Sequence, residues 1–272
     1  MSPAQKMWHG VCGMVFPGIC PGCQGVAYEP GSSPCCEVCT QELARSVTPL
    51  YCRRCAADAG PFELTHLRCP RCRNETWLLS GLVRVGRYDG LLADLIRRFK
   101  TRGWQQLDAY LGSLLSAAIA GAAWADELEA LVPIPSPWQR RWWRGFWPTG
   151  LLADAVARQL KLPRVDLLAA RRYWARQVAQ TPVQRRENVR GVFRARARGT
   201  DRRPAICLVE DVCTTGSTIN EAARTLRQAG FDRVYAAILA RTGGPDGGTL
   251  SAPAAPAPER AGPQPPPAVD TA

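Results

Sequence analysis

Neither a membrane span nor an export signal is expected from the 272 residues of the sequence. A charged segment followed by a long apolar core is missing from the amino terminus, so no signal peptide is expected and the protein is expected in the cytoplasm. The most membrane-like segment, Ala109 to Ala125, is built mostly of Ala, Gly and Ser. It falls short of a span in length and hydrophobicity and reads as a buried helix. Histidine is nearly absent, with only His9 and His66. His66 lies three residues before Cys69, where it could replace a thiolate ligand or simply sit on the surface. Acidic residues are also in deficit: 35 Lys and Arg outnumber 23 Asp and Glu, for a net charge of +12. The deficit is local. Between Gln139 and Arg198 fifteen basic residues face only Asp154, Asp166 and Glu187, an excess equal to that of the whole chain. Such a segment attracts polyanions such as nucleic acid or pyrophosphate unless it is merely a solvated basic face.

With 46% hydrophobic and 21% charged residues the chain has a globular composition, long enough for one sizeable core and a small second module. Large aliphatic residues are scarce before about residue 73, and cysteine takes their place. Ten of twelve cysteines fall there, and eight form four Cys-x-x-Cys pairs: Cys20/Cys23, Cys36/Cys39, Cys52/Cys55 and Cys69/Cys72. Two such knuckles complete a closed tetrahedral zinc site, so four imply two structural zincs that fold a segment otherwise without a core. Disulfides are disfavoured in the cytoplasm, and a redox dithiol calls for one reactive pair instead of four matched ones. Sequential sharing, first pair with second and third with fourth, is simplest. Interleaved sharing stays open, as does a register choice between Cys35 and Cys36.

The pattern changes near residue 80. Leu82 to Tyr88 reads as a strand, Asp89 to Lys100 and about Gln105 to Trp124 as helices, Leu128 to Ile134 as a strand and Thr149 to Leu160 as a helix. Three modules follow: a ribbon over 12–79, an α/β domain over 80–242, and a Pro/Ala/Gly-rich tail over 243–272 that cannot offset the entropy of ordering.

The most informative run starts with Ala205 to Val209, a short continuous apolar strand of the kind parallel sheets bury on both faces. Glu210 and Asp211 follow. Unpaired charge is costly to bury, so these acids belong past the strand end, where α/β ligands sit, and they suit vicinal ribose hydroxyls or a magnesium ion. Val212, Cys213, Thr214, Thr215, Gly216, Ser217 and Thr218 then form a hydroxyl-rich turn. A helix from about Ile219 to Gln228 aims its first N–H groups at the same place, fit for a monoester phosphate. A Ser/Thr-capped helix with no ligand is the plainer reading. The run resembles the phosphoribosyl pyrophosphate motif of type I phosphoribosyltransferases, with Glu210 where Asp is commoner.

Two further segments carry basic chemistry. The loop Pro135 to Trp147 alternates Arg140, Arg141 and Arg144 with Trp138, Trp142, Trp143 and Trp147, offering cations for phosphates and indole faces for bases. Some of these tryptophans belong to the core, but not all four can be buried. Arg171 to Val192 is basic, polar and interrupted by proline, and reads as a mobile flap.

The Lys100/Gly103 element, the Val-Pro-Ile-Pro strand end, the Arg141-x-x-Arg144-Gly145-Phe146 loop, the Gln177…Arg185-x-x-Asn188 stretch and the double ribbon together resemble the ComF family over nearly all of Cys20 to Arg241. The resemblance implies a type I phosphoribosyltransferase-like parallel sheet flanked by helices, preceded by a double zinc ribbon. It implies a role in natural transformation and DNA uptake, with single-stranded DNA as partner and a DNA-uptake helicase or recombination mediator beside it. It also implies a ribose-phosphate site at Glu210 to Thr218, with Lys100, Arg140, Arg141, Arg144, Gly145, Gln177, Arg185 and Asn188 contacting pyrophosphate or nucleic acid. The alternative function is an active magnesium-dependent phosphoribosyltransferase of nucleotide metabolism, although no second motif reads an acceptor base. Trp147 and Pro148 replace an Asn-Gln pair usual in the family, which removes two amide side chains from the loop.

Overall fold

The computed structural model describes residues 18–27, 33–47, 50–60, 62–65, 68–73, 76–101, 104–105, 107–136, 142–171, 189–197 and 204–243. The chain starts with a short antiparallel hairpin, β1 (Gly18–Ile19) and β2 (Val26–Ala27), followed by helix α1 (Glu37–Ser46). The α/β part runs β3 (Gly81–Arg87), α2 (Gly90–Phe99), α3 (Leu107–Ala120), β4 (Leu128–Pro133) and α4 (Pro148–Leu160). A hairpin of β5 (Leu168–Ala170) and β6 (Phe193–Ala195) comes next. Then follow β7 (Ala205–Cys213), α5 (Ser217–Gln228) and β8 (Val234–Arg241).

The expected parallel sheet flanked by helices is present, with strand order β3-β8-β7-β4 and every pairing parallel. The two central strands explain their own composition. All of β8 and the first five residues of β7 are buried, because helices cover both faces and leave no side for polar residues. One face carries α2, α3 and α4, with Leu95, Ile96, Leu111, Leu115 and Leu152 packed on Val83, Leu131, Val209 and Leu239. The other carries α5 and the β5–β6 hairpin, with Ile219, Leu226 and Phe193 on Leu208, Ala236 and Ile238. Helix α3, expected to be buried, is buried along one face only, and Gly112 on that face allows close approach: a Cβ there would lie 2.6 Å from that of Ala155. Among the described residues no helix is long and apolar enough to cross a membrane.

The cysteine segment straddles edge strand β3. Cys20, Cys35, Cys39 and Leu43 join the core beneath α2 to α4, while Tyr51, Cys52, Cys55, Cys69 and Cys72 join the core on the α5 face. Leu82 of β3 donates its N–H to the Arg53 carbonyl (3.1 Å), so the ribbon covers a strand edge that would otherwise invite another chain. Arg84, also on β3 and 2% exposed, donates to the Ala56 carbonyl (2.6 Å), pairs with Asp58 and lies over the Tyr51 ring.

Both cysteine sets close in sequential order: Cys20, Cys23, Cys36 and Cys39 in one, Cys52, Cys55, Cys69 and Cys72 in the other. Within each set the sulfurs all lie within 4.8 Å of one another. Zn–S bonds of about 2.3 Å in a tetrahedron place the sulfurs about 3.8 Å apart. The Cys23–Cys36 separation is 3.8 Å, and Cys52–Cys72 and Cys55–Cys69 are 3.6 Å. Backbone amides also point at sulfur, from Gly22 and Cys36 to Cys20 and from Cys69 to Cys52. Burial opposes a thiolate at Cys20, yet the amides of Cys36, Cys23 and Gly22 overcome it and lower its pKa to about 7. In the second set Cys55 is pushed up to about 12, chiefly by its hydrogen bond with Cys52. Without a cation four thiolates repel one another and only some ionise, whereas a divalent zinc accommodates all four. The donor sets therefore fit zinc. Cys35 stays outside the first set, and burial raises its pKa to about 12. His66, Gly103, the segment 172–188 expected as a flap, and the tail from residue 244 lie outside the described residues.

Metal analysis of the purified protein should give about two zinc equivalents per chain. Cys52→Ser should retain about one, because the first set shares no ligand with the second.

Candidate functional site

The site arises where two paired strands part company. Strand β4 follows β7 as far as the pairing of Pro133 with Val209, and Ile134 adds one N–H to the Val209 carbonyl (3.0 Å). The chain then turns away through Pro135. Strand β7 continues along β8 to the pairing of Cys213 with Arg241. The sequence places Glu210 and Asp211 beyond the strand. They lie on it instead, because one neighbour continues while the other has gone, and each is only partly buried. A cleft of about 360 Å³ opens at this end of the sheet.

Glu210 accepts the Asp211 N–H (3.0 Å), and Asp211 accepts the Val212 N–H (2.6 Å). Lys100, just past the end of α2, reaches across with its ammonium 2.9 Å from Asp211 Oδ1. Burial and the neighbouring Asp211 charge push the Glu210 pKa from 4.5 to about 8, against the weaker opposing pull of the Asp211 amide and Lys100. Burial thus favours the neutral form of Glu210, beside the ion pair of Lys100 and Asp211.

The turn after β7 hinges on Gly216, which has φ of +82° and precedes the first residue of α5. A Cβ here would be strained by the backbone alone and would also meet the Trp77 ring at 2.1 Å. Thr215 Oγ1 and Ser217 Oγ share a hydrogen bond of 2.7 Å, and the Ser217 N–H donates to Thr215 Oγ1 (3.3 Å). Thr214 is exposed. Thr214, Gly216 and Thr218 border the cleft together with Val212 and Cys213. Cys213 is buried, which raises its pKa although the Arg241 guanidinium lies against its sulfur at 2.6 Å.

Of the basic residues expected here, the structure brings Lys100 and Arg144 to the cleft, and Gly145 follows Arg144 with φ of +76°. Arg140, Arg141, Gln177, Arg185 and Asn188 lie outside the described residues. Trp142 and Trp143 are 77% and 80% exposed, whereas Trp147 packs on Gly150 and under the Arg164 guanidinium. Trp147 and Pro148 thus begin α4, with proline in its first turn. Sequence reasoning missed Tyr88, Ser136 and Thr242, which border the cleft, and Trp77 beneath it. These residues carry no motif, and only the sheet topology brings them together.

The support under the turn comes from the ribbon side. Asn220 of α5 accepts the Leu78 N–H (2.7 Å) and donates to the Thr76 carbonyl (3.0 Å), and Arg227 donates to the Leu78 carbonyl (2.5 Å). These bonds strap the linker that follows Cys72 along α5 and press Trp77 against Gly216.

Comparison with known proteins agrees with this geometry. Residues 151–249 match the family described as Phosphoribosyl transferase domain. Competence protein F of Haemophilus influenzae is 30% identical over 196 residues, covering 70% of this chain and 84% of that protein. The chain belongs to the ComF family. DNA utilization protein YhgH of Escherichia coli K12 is 30% identical over 84% of this chain and 99% of its own length. Competence protein ComFC of Bacillus subtilis is 27% identical over 72% of this chain and 78% of its own. This ComF member therefore combines two four-cysteine sets with a phosphoribosyltransferase-type domain.

Two outcomes follow from the geometry. A carboxyl whose pKa rises on folding stabilises the protein fully below its unfolded value and loses that contribution as pH rises through the folded value. Stability should therefore fall between about pH 4.5 and 8 by up to ~1.4 kcal/mol per pH unit from Glu210. Denaturant titrations across this range should show the slope in the wild type and a flatter profile in Glu210→Gln. Trp77→Ala should cost about 3–5 kcal/mol by the same measurement, since Trp77 is 7% exposed and fills the space against Gly216.

Proposed function

We propose that this protein is a DNA-uptake factor that binds single-stranded DNA and uses the cleft at Glu210 to Thr218 to hold a phosphoribosyl pyrophosphate-type ligand with magnesium. The observation that carries the ligand reading is the pairing of two carboxylates on β7 with a hydroxyl-rich turn at the start of α5, in one cleft with Lys100 and Arg144. Glu210 and Asp211 meet the ribose hydroxyls or the metal. The N–H groups of the Thr214 to Thr218 turn meet a 5′-phosphate, helped by the positive end of the α5 dipole. Lys100 and Arg144 meet the pyrophosphate. Magnesium would neutralise charge on the pyrophosphate and would be held through the acid pair. The DNA reading draws support from relatives named for competence and DNA utilization and from the basic excess between Gln139 and Arg198.

The intact acid pair favours a second reading, an active phosphoribosyltransferase. There, positioning and electrostatic stabilisation of departing pyrophosphate would supply most of the rate.

Fluorescence anisotropy with labelled single-stranded DNA at several salt concentrations tests the first part of the proposal. Affinity should fall steeply with salt, and no affinity even at low salt would sink it. Thermal shifts with phosphoribosyl pyrophosphate and magnesium test the second. At 100-fold excess over Kd the wild type should gain about 2.7 kcal/mol, a gain that Asp211→Ala should lose while retaining DNA binding. Release of pyrophosphate by the wild type but not by Asp211→Ala would establish the enzymatic reading.

A further inference from the structure

A second concavity, of about 520 Å³, lies between the β5–β6 hairpin and the carboxyl-terminal half of α5, and it shares no residue with the ribose-phosphate cleft. Four arginines border it: Arg171, Arg194, Arg196 and Arg224. The one acid among its described lining residues is already engaged. Glu221, 8% exposed, accepts the Gly191 N–H (2.7 Å) and pairs with Arg224, which docks the hairpin on the helix. The side chains of Arg171, Arg194 and Arg196 are exposed and have no acidic partner among the described residues.

We propose that this groove is a track for the phosphodiester backbone of single-stranded DNA. The inference rests on the DNA-handling reading above and assigns it a surface. Three observations favour a chain of phosphates over one small anion. Arg194 on β6 and Arg196 just past its end are both exposed and both border the groove, so they present successive charges along it. Ala195 and Ala197 between and beyond them are too small to close the groove. The groove also borders α5 at Thr225 while the cleft borders it at Thr218, about 10 Å apart along the helix axis. A strand running in the groove is thereby led toward the cleft. Among the described residues Phe193 is the one aromatic bordering the groove and is 2% exposed, so the described lining offers no ring to stack on a base. The track therefore binds backbone without regard to sequence.

The test is the Arg171→Ser/Arg194→Ser/Arg196→Ser variant of the full chain, assayed by anisotropy against labelled oligo-dT and a mixed-sequence single strand. Loss of three phosphate contacts should reduce the slope of log affinity against log salt by about 2 and weaken binding on the order of 10- to 50-fold at 0.15 M salt. Both oligonucleotides should lose equally, and lysine at the same three positions should retain most of the binding. Thermal protection by phosphoribosyl pyrophosphate with magnesium should match the wild type, which also shows that the variant folds. Neutralising Arg97, Arg158 and Arg233, which are exposed and acid-paired elsewhere, should leave the slope unchanged. A triple variant that binds DNA like a wild type with measurable affinity would overturn the groove assignment alone. A wild type with no DNA affinity would overturn the DNA-handling reading and the groove with it.

Discussion

The contact between the Trp77 indole and Gly216 is the constraint around which the site is organised. A turn that approaches a phosphate closely needs a residue free of Cβ, and φ of +82° already favours glycine at this position. The missing Cβ opens a gap on the inner side of the turn, and that gap is filled from the segment that follows the second cysteine set. Asn220 and Arg227 hold this segment by its backbone, so the indole cannot withdraw without breaking hydrogen bonds to Thr76 and Leu78. The ribbon is thus more than an appended module. Its second set shares a buried cluster with Trp77, Ile219 and the strands beneath α5.

This arrangement also explains why the ribbon folds around β3. A parallel sheet of four strands has two edges, and β3 forms one of them. Arg84 would be an anomaly on a bare strand, since a guanidinium 2% exposed needs fixed partners. The Ala56 carbonyl, Asp58 and the Tyr51 face supply them, all from the ribbon. Burial of that charge therefore specifies how the ribbon sits on the sheet, while the cysteine sets determine the local fold on each side.

Much of this was legible in the sequence because the decisive signals are local. The run Ala205 to Thr218 carries its strand, acids and turn within one continuous stretch, and the Cys-x-x-Cys spacing identifies ligands without any tertiary information. What the sequence could not convey was which strand ends first. The acids at 210 and 211 read as lying beyond a strand because buried charge is costly, and only the earlier departure of β4 shows how they remain on the ladder and still reach solvent. Spacing was equally silent on which knuckles share a metal and on which sheet face each set joins. Arg194 and Arg196 looked like two more members of a basic run. Their significance comes from Glu221, a residue distant in sequence, which uses its carboxylate to dock the hairpin and leaves Arg194 and Arg196 without an acidic partner among the described residues.

The two concavities differ in electrostatic state, and that difference separates the roles proposed for them. In the cleft Lys100 already faces Asp211, and Glu210 is held near neutral by burial and by its neighbour. Asp211 offsets Lys100 there and Arg144 adds one further cation, so an arriving anion is recognised chiefly by geometry at the turn and by the α5 terminus. In the groove three exposed arginines have no acidic partner among the described residues, the condition in which a polyanion is attracted at a distance and held without sequence preference. Selectivity for a small ligand and affinity for a long one make opposite demands on local charge. On the proposed reading, a single rigid helix serves both from its two ends.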